Sequence, residues 1–133
     1  MKKITTILVL TFSIAYSVKA QTLYTVNSGN YYYYPQSVTI NVGDTVRWVN
    51  DGGFHNVNFD INAITGLSYN NPESFISVPT NNTDMYTHVF TIPGNYDYDC
   101  SVGTHAANGM VGSVIVNSAS STIFVSSKNK VIE

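Results

Sequence analysis

The chain has 133 residues, of which 44% are hydrophobic and only 11% charged, with a formal net charge of −2. That length supports one compact domain with a modest core and leaves little room for a second. The sparse and acidic charge argues against nucleic acid as a partner, because phosphate backbones are bound through clustered lysine and arginine.

At the N-terminus, Met1-Lys2-Lys3 precedes an apolar run over residues 4–15 and then Val18-Lys19-Ala20, the pattern of a secretory signal cleaved after Ala20. The run is shorter than the roughly 20 residues a spanning helix needs, and no second one follows, so no stable membrane insertion is expected after signal removal. Residues 21–117 are read as the folded domain and residues 118–133 as a serine-rich tail with no assigned role. Loss of residues 1–20 leaves Arg47, Lys128 and Lys130 against eight carboxylates, a net charge of −5. An exported monomer, periplasmic or secreted, is expected.

Within the domain, residues 22–27, 37–42, 45–50, 55–59, 85–92, 95–100 and 112–117 are short segments rich in β-branched and aromatic side chains. Gly43-Asp44, Asp51-Gly52-Gly53 and Pro93-Gly94 mark turns between them. No long stretch has helical periodicity. The fold class expected is therefore all-β, an antiparallel Greek-key sandwich of about 7–8 strands. Strand alternation puts Val46 and Trp48 on the core face, and Tyr96, Tyr98 and Cys100 on another core face opposite Asp97 and Asp99. Residues 62–84, rich in Asn, Ser, Thr and Pro, read as loop.

Cys100 is the single cysteine, so no internal disulfide is possible, and a lone exported thiol is a cross-link, an inert buried group or a chemically used one. The neighbouring residues favour use. Cys100, His105 and Met110 follow each other at a Cys-x4-His-x4-Met spacing, and His55 lies on a separate segment. A thiolate, two imidazoles and a thioether are a soft donor set that suits a single copper ion changing oxidation state, with methionine as the weak axial ligand. Cys100 would sit at the end of a core-facing strand, and Gly103 and Gly109 would let the following loop fold back around the ion. Zinc held by Cys100, both histidines and a carboxylate such as Asp51 is the competing metal assignment.

On these residues the chain resembles the plastocyanin-type cupredoxins, over residues 23–117. The resemblance is carried by Gly53-Phe54-His55-Asn56-Val57-Asn58-Phe59, Gly94-Asn95-Tyr96-Asp97-Tyr98-Asp99-Cys100 and Gly109-Met110-Val111-Gly112. It implies that His55, Cys100 and His105 form a trigonal plane around one type 1 copper, with Met110 as the long axial contact. It also implies that Asn56 ties the two ligand segments together, and that backbone amides point at the sulfur. Four residues separate Cys100 from His105, where plastocyanins usually have two. Phe54 replaces a frequent proline, and Asp99 stands where an exposed tyrosine is common. With that tyrosine absent, electron exit is expected at His105, among Gly103, Ala106, Ala107 and Gly109, with Phe54 completing an apolar patch for a redox-protein partner.

The expected function is one-electron transfer between redox proteins. Copper buffering or delivery outside the cytoplasm would use the same ligands, and a binding or adhesion sandwich with an idle thiol is a third class. An enzyme is not expected, because His55, His88 and His105 are too few to build further copper sites. His88 is read as an ordinary strand histidine, Met85 as packing, and Tyr31 to Tyr34 as strand packing rather than a binding face.

Overall fold

The computed structural model describes residues 20–119. The signal peptide expected over residues 1–20 and the tail expected over 118–133 lie almost wholly outside the described residues. The strands are β1 (Leu23–Gly29), β2 (Tyr32–Tyr34), β3 (Ser37–Asn41), β4 (Thr45–Asn50), β5 (Asp84–Val89), β6 (Gly94–Asp99) and β7 (Val111–Asn117). One short 3-10 turn, Ala106–Asn108, precedes β7, and there is no α-helix among the described residues. None of their helices is long and apolar enough to cross a membrane.

Two sheets stack, one ordered β2-β1-β4-β5 and the other β3-β7-β6. The all-β sandwich is as expected, but its pairing is not purely antiparallel. β1 runs parallel to β4, with Leu23 opposite Thr45 and Ser28 opposite Asn50, and β3 runs parallel to β7. Parallel neighbours need a long crossover between them. For β1 and β4 the chain makes that crossover through β2 and β3, the second of which belongs to the opposite sheet.

Alternation places the core where the side-chain pattern puts it. Val46 and Trp48 from β4, Tyr96 and Tyr98 from β6, Ile40 from β3 and Val114 from β7 are all at most 1% exposed. Rings dominate the centre: Trp48 meets Tyr98 edge-on at 5.6 Å and Phe59 at 5.7 Å, while Phe59 stacks on Tyr98 at 4.7 Å. Offset and edge-on pairs of this kind add about 0.5–1.5 kcal/mol each beyond the area they bury.

Two local expectations change. Residues 55–59 make only isolated bridges, to Thr80, Ile76 and Asp99, rather than a strand. Their backbone is shared between two partners: His55 N donates to Thr80 O and Phe59 N to Phe75 O on one side, while Asn58 N donates to Asp99 O on the other. Asp99 is not solvent-facing but fully buried. The loop after residue 58 covers it, and its carboxylate accepts from Asn58 Nδ2, Ala63 N and Tyr69 Oη, each at 2.7 Å. Three donors compensate the carboxylate for the water it loses.

Candidate metal centre

At one end of the sandwich the chain brings together three side chains that are far apart in sequence. Cys100 follows the last residue of β6 and is fully buried; His55 opens the irregular segment after the Asp51-Gly52-Gly53 turn and is 3% exposed. His105 lies in the loop between β6 and β7 and is half-buried. Their donor atoms form a compact triangle: His55 Nδ1 to His105 Nδ1 is 3.1 Å, Cys100 Sγ to His105 Nδ1 is 3.4 Å, and Cys100 Sγ to His55 Nδ1 is 3.9 Å. A triangle of that size has its centre about 2 Å from each corner, close to the usual bond length between a first-row metal ion and nitrogen.

The surroundings of His55 favour a metal-binding form of its ring. His55 Nε2 lies 3.1 Å from the Gly52 carbonyl oxygen, which can only accept, so Nε2 carries the hydrogen and the neutral ring keeps its Nδ1 lone pair for a ligand. Burial pushes His55 below the ordinary histidine range, against the pull of the Gly52 carbonyl, and nearby His105 adds to the lowering. Gly53, at φ +100, leaves no room for a side chain: a Cβ there would stand 2.4 Å from His55 Nε2. The glycine therefore lets the backbone pack directly on the imidazole.

Cys100 is in the opposite condition. Burial raises its thiol above the ordinary value, the backbone amides of Asn56 and Val102 pull it down, and Asp99 pushes it up again. A buried sulfur of this kind gives up its proton when a cation takes the proton's place. Two imidazole nitrogens and a thiol converging on one point fit a shared soft cation that takes the place of the thiol proton. The thiolate and imidazole donors fit copper.

Met110 is fully buried, and its backbone is tied to the start and the middle of the loop, Cys100 N donating to Met110 O and Met110 N to His105 O. The loop closes through Gly109 at φ +102, whose amide donates to Ala106 O. Asp51 is not brought into the cluster: it is exposed, and its carboxylate accepts from Tyr32 Oη at 2.9 Å. Among the described His, Cys, Asp and Glu residues, His55, Cys100 and His105 make up the candidate group. His88 lies elsewhere, stacked on Phe75 at 3.9 Å with Glu73 at 3.3 Å. Met85 is a buried packing residue of β5.

Asn56 joins the two ligand segments. Its Oδ1 accepts from Ser101 N, its Nδ2 donates to Ser101 Oγ, both at 2.9 Å, and the residue is fully buried. Ser101 and the Gly52 carbonyl carry no motif that reveals such roles in sequence. Asn56→Ala leaves the Ser101 amide and hydroxyl unpaired and is expected to cost about 1–3 kcal/mol. Urea titration of the metal-free protein measures that loss, and a weaker metal affinity should accompany it.

Tyr31, at φ +62, sets its ring edge-on to His105 with centroids 5.2 Å apart. The packing assignment for residues 31–34 therefore holds for Tyr33, which is buried in the core, and not for Tyr31 or Tyr32, which border the candidate centre.

A family model described as copper binding proteins, plastocyanin/azurin family, matches residues 20–117. A chloroplast plastocyanin of Tetradesmus obliquus is 36% identical over 110 residues, covering 79% of this chain and 72% of that protein. The plastocyanin of Scenedesmus fuscus is 35% identical over 97 residues, covering 68% of this chain and 91% of that protein. Among solved structures, an amicyanin variant in its reduced state superposes with a TM-score of 0.51 at 27% identity, covering 71% of this chain and 81% of that one. An amicyanin variant in its Cu(I) form gives 0.54 at 26% identity, covering 74% and 86%.

Proposed function

The chain belongs to the plastocyanin/azurin family of copper-binding proteins, and from that membership we propose that it is an exported one-electron carrier. In this reading residues 21–117 form the copper domain, and His55, Cys100, His105 and Met110 hold one ion. The observation that carries the reading is the triangle of His55 Nδ1, Cys100 Sγ and His105 Nδ1 with sides of 3.1, 3.4 and 3.9 Å. Bound copper supplies a one-electron couple. Everything else is the work of the chain.

The two sheets hold three donors from two separate segments at nearly fixed spacing, and the Asn56–Ser101 pair locks those segments together. A cage that moves little between charge states keeps reorganisation small, which speeds electron exchange. The amides of Asn56 and Val102 aimed at Cys100 stabilise negative charge on the sulfur. Of the ligands, His105 is the half-buried one, while Cys100, His55 and Met110 are shut off from water. Electrons therefore enter and leave through the His105 side.

Ala107 is exposed beside His105, whereas Ala106 is buried, so a charge at Ala107 tests the route without a folding defect. Ala107→Lys should slow exchange with a redox-protein partner about tenfold, as interface charges act mainly on association. Stopped-flow mixing with the partner measures it, with the visible spectrum showing that the centre is intact. An unchanged rate with an intact spectrum would speak against exit through His105. A copper-delivery role would appear instead as ready loss of the metal to a chelating acceptor.

A further inference from the structure

Beside His105 the surface opens into a cleft of about 550 Å³ whose walls are Tyr31, Tyr32 and Phe54 and whose rim carries Asp51. The three rings are 41%, 39% and 54% exposed, so they are held at the surface rather than used in the core. Tyr32 reaches over and donates its hydroxyl to Asp51 Oδ2 at 2.9 Å, which fixes one ring and one carboxylate oxygen relative to each other and leaves the other oxygen open. No Lys or Arg lines the cleft.

Aromatic faces are negative and attract cations, and a carboxylate at the rim adds a full charge of the same sign. The rest of the domain reinforces it. Among the described residues Arg47 is the only Lys or Arg, it is paired with Asp84, and seven carboxylates stand against it. A cation approaching this end of the sandwich meets attraction at long range and a shaped site at short range. A guanidinium fits best, because it is planar, stacks on rings and pairs with carboxylate oxygens.

We propose that this cleft seats an arginine side chain of a basic redox partner, with the rings of Tyr31, Tyr32 and Phe54 enclosing the guanidinium and Asp51 pairing with it. The docking role rests on the electron-carrier reading given above. An arginine seated there brings the partner's surface against the Tyr31 and His105 rings, which are already in edge contact. The cleft thus sets both which partner binds and where.

The test begins with the reduced, copper-loaded protein, labelled for NMR and titrated with N-acetyl-arginine methylamide and, separately, its glutamate counterpart. The arginine probe should produce saturable shifts at Tyr31, Tyr32, Asp51 and Phe54, weakened by salt, and the glutamate probe none. Asp51→Asn and Phe54→Leu should each weaken arginine binding about fivefold, with Asp51→Glu restoring most of the loss. With a basic c-type cytochrome as electron acceptor, Asp51→Asn should lower the second-order rate at low salt by a similar factor. Shifts that never saturate, an equal response to the glutamate probe, or a cytochrome rate indifferent to both cleft variants would overturn the proposal. If the arginine probe binds as expected while Ala107→Lys leaves exchange untouched, the His105 reading fails and the cleft's preference for a guanidinium stands.

Discussion

Cys100→Ser is expected to abolish the copper centre while leaving the fold in place. A serine hydroxyl is a hard, weakly acidic donor that stays protonated where a thiol gives up its proton to a metal, so the soft anionic ligand disappears. Affinity should fall by more than about 100-fold, beyond what losing an outer-shell hydrogen bond costs. The side chain is fully buried, yet the amides of Asn56 and Val102 that face the sulfur can hydrogen-bond the smaller oxygen, so the metal-free variant should unfold near the same urea concentration as its parent. Metal analysis and the visible spectrum read the first effect, and denaturant titration the second. A variant that keeps its blue colour would remove Cys100 from the site.

Phe59→Ala is expected to be the most damaging substitution in the described core. Phe59 is fully buried and packs against five other rings, with centroids 4.2 Å from Phe75, 4.7 Å from Tyr98, 5.7 Å from Trp48, 6.0 Å from Phe90 and 6.3 Å from Tyr96. Truncating such a residue costs about 3–5 kcal/mol, through lost burial and the cavity left behind. In a domain of roughly 100 residues that is a fall in Tm of about 12 °C or more. The effect should reach the metal site as well, because residues 55–59 have no continuous strand partner and Phe59 anchors the end of the segment that begins at His55. Tyr34→Ala, at a residue 73% exposed, should stay within about 0.5 kcal/mol of the parent. Thermal unfolding of the metal-free proteins compares the two. A small loss for Phe59→Ala would mean that the ring cluster does not hold the segment.

Much of this architecture is written in local patterns. Turn glycines and β-rich segments mark most strands, and alternation alone assigns Trp48 and Tyr98 to the interior. The candidate ligands are legible because their chemistry is unusual: one cysteine, a histidine and a methionine in close order, and another histidine on a glycine turn. Strand neighbours are less legible, since alternation says which face is buried and not which strand lies alongside, and the parallel β1–β4 and β3–β7 pairs are long-range choices. Asp99 reads as solvent-facing because a carboxylate on an alternating strand usually is. Its burial depends on donors from Asn58, Ala63 and Tyr69, which no local pattern links to it. The same holds for Ser101 beneath Asn56 and for the cleft beside His105, where Tyr32 and Asp51 meet across 19 residues.

The domain is proposed to hold one copper ion in a thiolate–imidazole cage and to cycle it by one electron. Reconstitution of the purified protein with copper, with zinc also available, followed by metal analysis, visible spectroscopy and a redox titration, tests this most directly. One copper per chain is expected, with an intense blue colour in the oxidised form that is lost reversibly on one-electron reduction. Failure to bind copper stoichiometrically, or preferential uptake of zinc, would contradict it.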